Sequence, residues 1–130
     1  MDKQGNIDHW LNSSDLDFET MEYLYQGKRY SWALFIGHLV IEKLLKALFV
    51  KSNPDNTPVP KIHNLLTISQ RAFLTLSKEQ EDKLDTITTF NMRARYQNEK
   101  LDFYKRCTKE YSDKQIKNIK ELRQWLKTLV

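Results

Sequence analysis

The segment RYSWALFIGHLVIEKLLKALFV, residues 29–50, constrains this chain more than any other. Advancing by about 100° per residue from Leu34, the charged residues Glu42, Lys46 and Lys43 fall near about 80°, 120° and 180°, and nearly all the remaining circumference is apolar. A helix that is apolar on most sides needs neighbours on most sides, so the segment predicts the central helix of a helical bundle. Gly37 would let a second backbone approach closely. Glu42 and Lys46 are spaced i, i+4 in the order that favours an ion pair, and His38 borders their sector and could join them in a polar network.

The rest of the chain supplies helices to surround it. Ser14-Asp15-Leu16-Asp17 approximates a capping box, so a first helix is expected to begin near Ser14. Trp10 and Leu11 could extend it by a turn, and Leu16, Met21 and Leu24 would make its apolar contacts. Gly27 is placed to end it in a left-handed conformation. The three-proline stretch KSNPDNTPVPK closes the central helix as a loop. A third helix is expected around Ile62 to Leu74. A fourth opens at the capping box Ser77-Lys78-Glu79-Gln80 and runs to about Arg95. A fifth is capped by Ser112 and carries the stripe Ile116, Ile119, Leu122, Leu126 and Leu129. The expected fold is all-α, a four-helix up-and-down bundle with an additional helix, in one domain over residues 1–130.

Composition narrows the function classes. With three glycines, three prolines and few β-branched runs, strands have little support. One cysteine, Cys107, permits neither an internal disulfide nor a cysteine cluster for a metal. The N-terminal MDKQGNIDHW lacks the apolar run of a signal peptide, and no segment approaches the roughly 18 apolar residues of a membrane span, so a cytoplasmic protein without a membrane contact is expected. There is no Gly-rich phosphate loop and no metal-ligand motif, so no cofactor and no metal are expected. Residues 1–30 carry three basic and six acidic groups, whereas residues 91–130 carry eleven and five. That asymmetry suits nucleic acid or nucleotide phosphates, and equally suits a basic helix packed beside an acidic one.

The stretch FNMRARYQNEK, residues 90–100, is dense in groups that hold anions or bases. Continued as a helix from Leu84, Asn91 and Arg95 would stay on the inward face while Arg93 would point away. An inward guanidinium must be paired, lie at an interface or face a cleft. Glu42 is the obvious partner for a buried pair. The alternative is a phosphate or base contact by Arg95, with Tyr96 stacking beside it.

The residues as a set resemble the HEPN family (higher eukaryote and prokaryote nucleotide-binding domains). Tyr30, Glu42, Lys43, Leu45, Lys46, Ala47 and Leu48 match its second-helix pattern. His63-Asn64-Leu65 matches its histidine-polar-leucine element, and Ala94-Arg95-Tyr96 its alanine-arginine-tyrosine element. Trp125, within Leu122 to Leu126, fits the pattern of its last helix. The resemblance implies a commonly dimeric bundle. It also implies either metal-free RNA cleavage through an arginine and a histidine with four to six residues between them, or pairing with a minimal nucleotidyltransferase as toxin and antitoxin. In some relatives a tyrosine just after that histidine is adenylylated, and Tyr104 sits at the corresponding spacing. Other members bind nucleotides or partners without catalysis.

This chain departs from the RNase pattern. The positions that follow Arg95 at that spacing are Lys100, Leu101 and Asp102, and those that follow Arg93 are Asn98, Glu99 and Lys100. None offers the imidazole that exchanges protons near neutral pH. The leading reading is therefore a dimeric HEPN protein that uses Arg93, Arg95, Tyr96, Lys100 and Asn91 to hold a nucleotide or RNA phosphate beside a nucleotidyltransferase partner, leaning away from an enzyme. A second reading is an RNase toxin with a rearranged site built from Arg95, Lys100 and His63. A third is a structural or interaction bundle in which Arg95 pairs with Glu42. Phe35 and Leu39, in the charged sector of the central helix, hint at an interface or at a covering helix.

Overall fold

A computed structural model describes residues 2–130, with the side chain of Ala94 outside the description. Six helices follow in order: α1 (Lys3–Gln26), α2 (Tyr30–Ser52), α3 (Leu65–Arg71), α4 (Lys78–Thr88), α5 (Gln97–Arg106) and α6 (Lys109–Leu129), with a 3₁₀ turn at Met92–Ala94 between α4 and α5. No strand occurs among the described residues. The long helices α1, α2, α4 and α6 form the expected bundle, and α3 and α5 are short additions to it. Every other helix packs on α2, which buries sixteen residues and is the central helix its apolar circumference predicts. Gly37 is the close approach: a Cβ there would lie 2.5 Å from Ile119 Cδ1 and 3.1 Å from Met21 Sδ.

The helix ends differ from expectation for local reasons. The Asp2 carboxylate accepts from the Gly5 amide at 2.7 Å and starts α1 well before Ser14. Ser14 is thus an interior residue, buried, with its hydroxyl donating to the Val40 carbonyl at 2.8 Å across to α2. Leu16 faces solvent instead of the core. Gly27 ends α1 at φ −80°, and the left-handed residue is Lys28 at φ 60°. Asn64 caps α3 and the capping box at Ser77 opens α4 as read. Thr108, not Ser112, caps α6, whose apolar stripe Ile116, Ile119, Leu122 and Leu126 is buried.

The largest correction is the end of α4. It stops at Thr88 because Thr88 and Thr89 turn their hydroxyls back on the Leu84 and Thr86 carbonyls, and the Asn91 side chain accepts from the Arg93 amide to begin a new turn. Asn91 and Arg95 therefore do not continue an inward helical face. The chain bends, and Phe90 and Phe103 pack with ring centroids 5.7 Å apart to dock α5 on the bundle.

Much of the basic surplus is spent inside the fold. Arg123 and Lys127 of α6 both reach Asp15 of α1, at 3.2 and 2.9 Å, and Lys120 reaches Glu22 at 2.9 Å. Tyr25 of α1 donates to Asp113 of α6. The acidic first third and the basic last third are in part partners across the bundle. Among the described residues no helix is long and apolar enough to cross a membrane.

Candidate functional site

Two polar constellations stand out, and they are separate. The first is internal. His38, Glu42 and Lys46 recur every four residues on α2 and all three are buried. One Glu42 oxygen accepts from Lys46 Nζ at 3.1 Å, and the other accepts from His63 Nδ1 at 2.8 Å. His38 Nε2 lies 3.1 Å from the His63 carbonyl and 3.8 Å from Glu42. Burial pushes the His38 pKa down, so the ring is neutral and Nε2–H donates to that carbonyl. Lys46 Nζ also sits 5.4 Å from the Trp10 ring. The network ties the loop before α3 to the central helix. Glu42 is fully engaged by lysine and histidine, so the buried pair with Arg95 does not form.

The second constellation is a surface cleft of about 510 Å³ between the start of α2 and α5, a size ordinary for a small-ligand site. Ser31, Trp32 and Phe35 form one wall, Met92 and Arg93 the base, and Gln97, Lys100, Leu101 and Tyr104 the other wall. The α5 residues fall at i, i+3, i+4 and i+7, one stripe of that helix. The Arg93 guanidinium lies 5.8 Å from the Phe35 ring centroid, a cation–π contact that holds it at the cleft. Neither Arg93 nor Lys100 forms an ion pair, and no carboxylate lines the cleft, among the described residues.

Arg95 lies elsewhere. It lines a shallow hollow with Glu99, Asp102, Phe103 and Arg106, where two carboxylates face two guanidinium groups. It donates to the Thr89 carbonyl and rests 5.4 Å from the Phe103 ring. The bend after Thr88 thus exchanges the two arginines relative to the helical projection: Arg93 faces the cleft and Arg95 the balanced hollow. Tyr96 is exposed and lines neither, and Asn91 is occupied with the Arg93 amide. His63, half-exposed, is committed to Glu42 and is not part of the cleft wall. Tyr104 lies in the cleft beside Lys100. Phe35 and Leu39 are covered within the chain. The cleft residues missed from sequence are Ser31, Trp32, Met92, Gln97 and Leu101, and the stripe 97-100-101-104 was the available signal.

Burial raises the Cys107 thiol to about 11, so at neutral pH it carries no thiolate. No group of histidine, cysteine and carboxylate side chains suited to a metal occurs among the described residues.

These features define an all-α bundle with a basic, aromatic-walled cleft at one end of its central helix. The sequence matches the model of the HEPN domain over residues 7–129, and the chain belongs to that family. Its fold is similar to the crystal structure of TT1696 from Thermus thermophilus, with a TM-score of 0.76, 14% identity, and coverage of 95% of this chain and 98% of that one. No curated protein matches the sequence.

Proposed function

We propose that this HEPN protein holds the phosphate of a nucleotide or of RNA in the cleft between α2 and α5, with Arg93 and Lys100 as the phosphate contacts. The observation that carries this reading is the pair of unspent cations on a concave wall without a carboxylate. A planar guanidinium already seated on Phe35 can offer a two-pronged contact at little cost in side-chain freedom. Family membership supports a nucleotide- or RNA-related role. A second copy of the chain and a minimal nucleotidyltransferase are proposed as its partners on the same family ground.

Binding is favoured over cleavage. Ser31, Gln97, Lys100 and Tyr104 are the cleft's polar side chains besides Arg93, and none carries the imidazole that metal-free cleavage through a 2′-hydroxyl needs. The test is anisotropy of a labelled single-stranded RNA at low salt, with an EDTA cleavage assay on the same samples. Replacing Arg93 and Lys100 together by alanine should weaken binding by about tenfold or more and flatten its salt dependence, whereas Arg95→Ala should change it by less than about twofold. Cleavage of intact RNA, or a loss confined to Arg95→Ala, would contradict the reading.

A further inference from the structure

The phosphate reading leaves two features of the cleft unused. Trp32, in the first turn of α2, keeps 55% of its surface exposed, and Tyr104, on the facing stripe of α5, keeps 66%. Leu101, on the same α5 stripe as Tyr104, is 52% exposed. The phenylalanines nearby, Phe90, Phe103 and Phe35, are buried, and the exposed Tyr96 lies outside the cleft. Trp32 is also held in place. Its ring stands edge-on to Phe35, with centroids 6.4 Å apart and planes at 73°, and the same Phe35 ring carries the Arg93 guanidinium. One buried phenylalanine therefore fixes an exposed flat ring and an unspent cation relative to each other.

A ligand matched to that arrangement has a flat apolar face next to a negative charge. An unpaired nucleobase with its phosphate has both. A duplex offers phosphates, but its bases are already stacked on one another and cannot lie on Trp32 without being flipped out. A second copy of this chain docked on the cleft itself about a two-fold axis would bring its own Arg93 and Lys100 towards the first pair, like charge against like. We infer that Trp32 and Tyr104 are base-stacking, specificity-determining residues, so that the cleft selects an unpaired base with its phosphate and rejects a duplex. This rests on the phosphate reading above and adds to it the stacking partner.

The test compares one labelled RNA single strand, the same strand annealed to its complement, and unlabelled AMP as competitor. Wild type should bind the single strand more tightly than the duplex. Trp32→Leu, which keeps apolar bulk but loses the ring, should weaken single-strand binding by about 5- to 100-fold with its salt slope unchanged. Trp32→Phe should retain most of the affinity, and Tyr104→Ala should weaken it in the same sense as Trp32→Leu. Displacement by AMP supports the inference with a mononucleotide as sufficient ligand; displacement by unlabelled strand alone supports it with the strand as ligand. Equal binding of strand and duplex, or equal affinity of Trp32→Leu and wild type, would overturn the stacking role and leave the phosphate reading standing if the Arg93 and Lys100 variant still fails to bind. Unchanged binding in that variant would instead overturn the phosphate reading. If Trp32→Leu turned a dimer into a monomer with RNA affinity per chain unaltered, the rings would be a surface between copies and the inference would be wrong.

Discussion

His38, Glu42 and Lys46 put three ionisable groups on one buried stripe of the central helix, and that stripe makes the fold sensitive to acid. His38 is held neutral by burial, below its ordinary value of 6.5, and is faced by Glu42, Lys46 and His63. The unfolded chain takes up a proton near 6.5 that the folded His38 refuses, so the stability this residue contributes is intact above that value. It is lost as the pH falls below it, by up to about 1.4 kcal/mol per pH unit. Urea denaturation midpoints should therefore fall between about pH 7.5 and about pH 5, and fall less in His38→Gln, whose amide can still donate to the His63 carbonyl. Parallel pH slopes for the two proteins would contradict this. The Glu42–Lys46 contact was legible from spacing alone, because i, i+4 geometry is local. His63 as the other Glu42 partner was not, since it arrives from a loop twenty-one residues away in sequence. Arg95 was misplaced for a related reason: its direction depended on a helix that two threonine hydroxyls end early.

At the scale of elements, α2 against α6 shows what the apolar pattern could and could not specify. The stripe of α6 and the nearly all-apolar wall of α2 were readable, and they do pack together. The α5 helix was not, because its ten residues are mostly polar and only Phe103 is buried. Its position comes from Phe103 on Phe90, a tertiary contact with no periodic signal. The tightest point between elements is Gly37. Gly37→Ala should destabilise the protein by about 1–3 kcal/mol, since its Cβ would collide with Ile119 Cδ1 and crowd Met21 Sδ, forcing two fully buried side chains to shift. Ile119→Val alone should cost about 0.5–1.5 kcal/mol, yet it removes the colliding atom. The double variant should therefore be more stable than the sum of the two losses predicts, measured by urea unfolding. Simple additivity would contradict the close-approach account.

For the whole molecule, charge and shape divide the work. The bundle pairs the acids of α1 with the bases of α6, which accounts for much of an asymmetry that could have been mistaken wholly for a nucleic-acid footprint. Where α2 begins and α5 passes, two cations without an ion pair and two exposed rings share one concavity that no carboxylate lines. The family was legible in the sequence, and residues 90–100 were legible as a stretch dense in anion-holding groups, but composition cannot say which side of a bend an arginine takes. The central claim is that the cleft with Arg93, not the hollow with Arg95, receives the ligand. The most direct measurement is an NMR titration of the protein with a short RNA single strand, following backbone amides and the tryptophan indole signals. The account predicts shifts concentrated at Ser31, Trp32, Arg93, Gln97, Lys100 and Tyr104, with Glu99, Asp102 and Arg106 little changed. Shifts centred on Arg95, Glu99 and Arg106, or on His63 and Glu42, with Trp32 unmoved, would contradict it.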